Sequence, residues 1–125
     1  MYKRQLYTAV RLLEILGADS RNVDEVFAQF PQTFTTPEIK INTSETEKFS
    51  IMQKLEASAD WGDGTITSID GIRVDYADGW GLIRPSNTSP VLSLRFEADN
   101  PEALERIQDE FQARLSELDA NLNFR

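Results

Sequence analysis

Apolar residues fall into alternating helical and extended patterns along the chain. Leu6, Val10, Leu13 and Leu16 stand near helical spacing, and Gly17 comes after them where a helix C-cap is expected. Asn22 is placed to cap a second, short helix through Val23, Val26, Phe27 and Phe30, which Pro31 stops. The run Gln32 to Pro37 is rich in Thr and Pro and reads as a linker, so residues 1–31 form a helical piece, the remnant of a preceding domain.

Beyond the linker, Glu38 to Asn42 alternates as a short strand, and Ser44 with Glu47 makes a capping-box pattern. The helix it opens is expected to bury Phe49, Met52, Leu55 and Ala59, and Trp61-Gly62-Asp63-Gly64 breaks it. Thr65 to Ile69 and Ile72 to Tyr76 read as strands joined by a two-residue hairpin at Asp70-Gly71. Asp78-Gly79 turns the chain into a strand from Trp80 to Arg84. Val91 to Glu97 is a fourth, with Leu92, Leu94 and Phe96 on one face and Ser93, Arg95 and Glu97 on the other. Asn100 and Pro101 start a last helix carrying Leu104, Ile107, Phe111, Leu115 and Leu118, and residues 119–125 read as a tail. Hairpin-linked strands flanked by helices predict an α+β domain over residues 38–118: an antiparallel four-stranded sheet with two helices on one face.

Charge narrows the function. The 125 residues carry 13 basic against 21 acidic side chains, a net charge of -8. A basic footprint for nucleic acid is missing, and an anionic membrane surface would be repelled. Any anionic ligand therefore needs a local cluster of donors. The chain has no cysteine and no histidine, which excludes disulfides, thiolate chemistry and histidine general bases from its repertoire. No apolar run reaches the roughly 18 residues of a membrane span, and no signal-peptide core stands at the N-terminus, so a cytoplasmic location is expected.

One loop looks chemical. Arg84-Pro85-Ser86-Asn87-Thr88-Ser89-Pro90 joins the last two strands, where a simple hairpin needs nothing so elaborate. Arg84 offers a planar fork suited to phosphate, Ser86, Thr88 and Ser89 offer hydroxyls, and Asn87 offers an amide. Two prolines limit the loop's freedom, so less entropy is lost when a ligand orders it. None of its side chains is acidic. That composition suits an anion cradle, although Ser, Asn, Thr and Pro are also ordinary turn formers.

The motifs around this loop go further. Asp70-Gly71-Ile72-Arg73-Val74-Asp75-Tyr76, then Gly79-Trp80-Gly81-Leu82, then Arg84 through Leu92 resembles the C-terminal domain of bacterial phosphohexomutases, in particular the bifunctional phosphomannomutase/phosphoglucomutase type. Leu94 to Ala98 and Thr36-Pro37-Glu38-Ile39 extend the resemblance, and Tyr7 to Leu16 is similar to the last helix of the domain before it. The resemblance implies that Arg84, Ser86, Asn87 and Thr88 grip the phosphate of the sugar that is not reacting. It implies a hexose phosphate substrate, of mannose or glucose, and a reaction between 1-phosphate and 6-phosphate through a bisphosphate. It implies magnesium (Mg2+) in the full-length enzyme, held by residues outside this chain, and the enzyme's remaining domains as partners. Phosphoglucosamine mutases typically have Gly at the position of Asn87, so Asn87 favours the mannose/glucose branch.

Other parts of the family's machinery have no counterpart here. The phosphoserine loop ends in Ser-His-Asn-Pro, the magnesium loop reads Asp-Gly-Asp-x-Asp, and the sugar-selecting loop also contains His. Asp60-Trp61-Gly62-Asp63-Gly64 has the wrong spacing for the second and reads as a turn. A fragment inactive by itself is therefore expected, since phosphoryl transfer needs those parts around the phosphate. The opening Met1 to Gln5 departs from the family's pattern and suggests a non-native start. Trp61 and Trp80 read as core or hinge packing, Arg73 and Arg95 as cross-strand partners of Asp or Glu, and the acids of the last helix as a solvated face. The alternatives are a phosphoglucosamine or other phosphohexose mutase domain, and a free-standing non-catalytic α+β binding module.

Overall fold

A computed structural model describes residues 4–58 and 60–125; Met1, Tyr2, Lys3 and Ala59, the last expected on a helix's buried face, lie outside them. The chain divides into two compact units, one up to Gln32 and one from Thr33 to Arg125.

The first unit holds two helices, α1 (Gln5–Ala18) and α2 (Val23–Phe27). Gly17 lies inside α1 rather than capping it, and the helix ends into an extended Asp19. Asn22 does cap α2: its side chain accepts from the Glu25 amide at 2.9 Å, and the Glu25 carboxylate accepts from the Asn22 amide at 2.9 Å. Neither helix buries a residue. Leu6, Val10 and Leu13 are 84%, 62% and 68% exposed, a wide apolar surface for one helix.

The second unit is built on six strands, β1 (Phe34–Thr35), β2 (Ile39–Asn42), β3 (Thr65–Thr67), β4 (Ile72–Tyr76), β5 (Gly79–Pro85) and β6 (Val91–Ala98). Every pairing is antiparallel, in the order β1-β6-β5-β4-β3 with β2 also on β6. The expected four-stranded sheet is thus six-stranded. Two short strands share the free edge of β6: β1 faces Glu97 and Ala98, and β2 faces Val91 to Leu94. The run read as a linker, residues 32–37, thus contains β1 and leads into β2, and Thr36 bonds Phe96 through both its amide and its hydroxyl. The β3–β4 connection also differs, because Thr67 pairs with Arg73 and leaves a loop longer than Asp70-Gly71 alone.

Two helices, α3 (Glu45–Ser58) and α4 (Pro101–Leu118), complete this unit. Their starts match the expected caps, Ser44 with Glu47 and Asn100 with Ala103. One row of the sheet aligns Ile72, Ile83, Leu94 and Ile39, and the next aligns Val74, Gly81 and Phe96. Alternation along each strand sends this set to one face, where it meets Ile107, Phe111 and Leu115 of α4. A β-carbon at Gly81 would run into the Phe111 ring, so glycine there lets the ring pack directly against the strand backbone. Trp61 closes the same cluster, 4.5 Å from Phe111 between ring centroids, which makes it a core residue. Residues 119–125 are not a free tail: Leu122 is buried, and Phe124 stacks on Phe96 at 5.5 Å.

Amide exchange should separate the two units. We expect fast exchange in α1, which buries none of its residues, and slow exchange in β6, whose apolar side chains are all buried. Equal protection of α1 and β6 in a hydrogen-exchange experiment would contradict this division.

Candidate functional site

Strand β5 ends in Arg84-Pro85 and β6 begins at Val91, so residues 86–90 form the connection between the two most extensively paired strands. The Ser86 amide donates to the Val91 carbonyl at 3.0 Å, closing the base of the loop, and the Val91 amide donates to the Ser89 carbonyl at 2.8 Å. Inside, the Ser86 hydroxyl lies 3.0 Å from the Ser89 hydroxyl and 3.5 Å from that of Thr88, and it accepts from the Thr88 amide at 3.3 Å. The three hydroxyls are therefore gathered around Ser86. Asn87 is exposed at the tip, and neither its amide nor its side chain bonds any described residue.

Arg84 stands apart from this cluster. Its guanidinium bonds none of the loop hydroxyls, and its ion-pair partner is Asp70 at 3.7 Å. The Arg84 side chain is 48% exposed and Asp70's is 80%, so the pair is weak and easily exchanged for a better anion. Arg84 pairs in register with Ser93, whose hydroxyl donates to Glu38 at 2.6 Å. That bond, then Lys40 and Arg84, hold the Glu38 carboxyl below its ordinary range. Arg84 also lines a depression of about 180 Å3 with Thr67, Asp70, Arg73 and Leu82. A larger cavity of about 330 Å3, lined by Asn42, Glu47, Ser50, Lys54 and Asp119 among others, includes none of Arg84 to Pro90.

A residue that sequence reasoning missed lies beneath the loop. Lys48, in the first turns of α3, is 2% exposed. Its ammonium donates to the Ser86 carbonyl at 2.7 Å and to the Ser89 carbonyl at 3.3 Å, and pairs with Glu45 at 2.7 Å. The buried stripe of α3 runs through Lys48, Ile51, Met52 and Leu55, spaced three, four and seven apart. Phe49, expected inside, is 52% exposed. A lysine occupying an apolar position of a helical stripe was the signal available in the sequence.

The neighbouring features sort differently from expectation. Arg73 pairs with Asp75 two residues along its own strand, at 2.5 Å, rather than across strands. That bond holds the Asp75 carboxyl below its ordinary range and the Arg73 guanidinium above its own. Arg73 also lies over Trp80, 4.2 Å from the ring, so Trp80 is a half-buried cation–π platform on the sheet face away from α4. Arg95 is exposed and has no ion pair among the described residues. Asp60 accepts from the Gly62 amide at 3.0 Å, and Gly62 has φ 61°, which makes Asp60 to Gly64 a turn.

The family model of the phosphoglucomutase/phosphomannomutase C-terminal domain matches residues 38–114, from just before β2 into α4. The chain belongs to the phosphoglucomutase/phosphomannomutase family. It is 53% identical over 117 residues to the phosphomannomutase/phosphoglucomutase of Pseudomonas aeruginosa, an overlap covering 94% of this chain and 25% of that protein. With the phosphoglucomutase of Neisseria meningitidis serogroup B it shares 49% identity over 110 residues, covering 86% and 24%. A crystal structure of a phosphoglucomutase/phosphomannomutase family protein from Burkholderia thailandensis superposes with a TM-score of 0.82 at 39% identity, covering 94% of this chain and 24% of that one. The chain thus spans about a quarter of the length of the family members it matches. Within the family it corresponds to the C-terminal domain, and the β5–β6 loop lies inside the matched region.

Proposed function

We propose that this chain supplies the substrate-phosphate-binding domain of a phosphomannomutase/phosphoglucomutase, an intramolecular phosphotransferase that interconverts hexose 1-phosphate and hexose 6-phosphate through a bisphosphate. The observation carrying this reading is the loop's set of unspent donors. The Asn87 amide and side chain have no partner among the described residues, the Thr88 hydroxyl is exposed, and Arg84 holds only a loose surface pair. Together they offer an anion several charge-assisted bonds in a rigid frame. Arg84, Ser86, Asn87 and Thr88 bind the phosphate that is not being transferred, and mannose and glucose phosphates are the substrates.

The remaining domains of the enzyme supply the phosphoserine and the Mg2+ site. Among the described residues no group of three or more carboxylates is placed to hold a metal. In this reading α1 and α2 pack on the preceding domain, residues 32–37 cross the boundary, and residues 38–118 bind the sugar phosphate. No helix among the described residues is long and apolar enough to cross a membrane. We place the enzyme in the cytoplasm, where hexose phosphates are turned over, with no nucleic-acid partner.

The chain alone should show no interconversion of mannose 1-phosphate and mannose 6-phosphate, measured by coupled assay. Joined to the first three-quarters of the Pseudomonas aeruginosa relative, in place of its matching quarter, it should restore that reaction. Activity of the isolated chain, or a well-folded but inert chimera, would overturn the reading.

A further inference from the structure

We propose that Lys48 is a positioning residue for the phosphate loop: buried beneath it, its ammonium pins two carbonyls and so turns an amide donor toward the ligand. The inference rests on the loop being the phosphate site.

A buried ammonium is costly unless all three of its N–H groups find acceptors. Here three acceptors are within reach, the carbonyls of Ser86 and Ser89 and the Glu45 carboxylate. Two of the three belong to the loop, 38 and 41 residues away in sequence, so the satisfaction of this charge depends on the loop's conformation. An apolar side chain of the same length would fill the space, but it would leave the Ser86 carbonyl without its donor.

The direction of these bonds matters. In a planar trans peptide the C=O and the N–H of the next residue point opposite ways. Aiming the Ser86 carbonyl inward at Lys48 therefore aims the Asn87 N–H outward, and that amide has no partner among the described residues. The second pinned carbonyl, Ser89, precedes Pro90, which has no N–H to present. Lys48 thus holds the far end of the loop without committing another donor. Its charge also lies behind the loop in a shielded position, where attraction to an anion is screened less than at the surface. Glu45 offsets part of that charge, but its side chain is 64% exposed and solvated.

The test is inorganic phosphate titrated into the nitrogen-15-labelled chain, with the Asn87 amide as the observed signal. Lys48→Met is expected to weaken phosphate by roughly tenfold or more while the circular dichroism spectrum is kept. Lys48→Cys, alkylated in denaturant with 2-bromoethylamine and refolded, rebuilds an ammonium at the same reach and should restore binding. The chain has no other cysteine to be modified. A merely structural lysine would lower the melting temperature and leave the affinity of the folded chain unchanged. Affinity within twofold of the unaltered chain in Lys48→Met, with Arg84→Ala impaired, would overturn this inference alone. Unchanged affinity in both would overturn the site with it. Should Lys48→Met fail to fold, the Lys48 ammonium resonance of the unaltered chain decides. It should stay in slow exchange at saturating phosphate, and exchange as fast as that of exposed Lys40 would contradict the proposal.

Discussion

Phe111→Ala is expected to destabilise the second unit by about 3–5 kcal/mol, the range for removing a buried aromatic ring. Phe111 is fully buried, lies 4.5 Å from Trp61 and 5.2 Å edge-on from Phe96, and rests on the bare backbone of Gly81. Three elements thus meet on one ring, and no neighbour is free to collapse into its space. Glycine cannot fill the gap, and Trp61 and Phe96 are each held by their own strand or turn. A domain of this size has a total stability of about 5–15 kcal/mol, so the loss is a large share of it. The urea midpoint should fall with the slope of the transition unchanged. Phe49→Ala is the matched control, because Phe49 is 52% exposed and should change stability by only about 0.5 kcal/mol. A loss below about 1 kcal/mol for Phe111→Ala would show that the core is not organised around this ring.

Arg84→Ala has the largest expected effect on chemistry, in the chimera with the Pseudomonas aeruginosa relative. If Arg84 holds the phosphate that is not transferred, it touches a group common to every substrate. The loss should be about 1.5–3 kcal/mol, the range for a charged hydrogen bond, or roughly ten- to a hundredfold in kcat/KM. Mannose and glucose phosphates should suffer alike, leaving their ratio almost unmoved. Because the bisphosphate turns over, both the 1-phosphate and the 6-phosphate visit this loop, so forward and reverse reactions should fall together. Stability should hardly change, since the Arg84–Asp70 pair is exposed on both sides and long at 3.7 Å. A loss confined to one sugar would show that Arg84 reads the hexose rather than its phosphate.

The fold was legible where burial and local pattern agree. Helix α4 and strand β6 have strong periods, and Asn100, Ser44 and Asn22 carry caps whose chemistry is local. What was missed depends on partners distant in sequence. Phe34 and Thr35 are too few to show alternation, and they become a strand only because β6 offers a free edge. Leu122 and Phe124 lie past the end of the helical pattern, and only the tertiary fold brings them onto the core. On α3 two overlapping stripes compete, one through Phe49 and one through Lys48. Hydrophobicity alone chooses the aromatic, whereas the structure buries the lysine because two loop carbonyls need its donors.

The site divides the same way. The loop's donors were visible as composition between two prolines, and its position between strands came from the strand pattern. Its internal order was not visible: Ser86 gathers Thr88 and Ser89, Asn87 is left outward, and Arg84 stands aside on Asp70. The cation over Trp80's ring was equally hidden, because Arg73 finds Asp75 along its own strand and Trp80 on the neighbouring one.

The most direct test is a nuclear magnetic resonance titration of the nitrogen-15-labelled chain with mannose 1-phosphate, mannose 6-phosphate, inorganic phosphate and mannose. The three phosphates should shift the same signals, the amides of Asn87, Thr88 and Ser89 and the Arg84 side-chain Nε, and mannose should shift none of them. Phosphates that leave these signals still, or shift instead the residues around the cavity at Asn42, Ser50 and Asp119, would contradict the account.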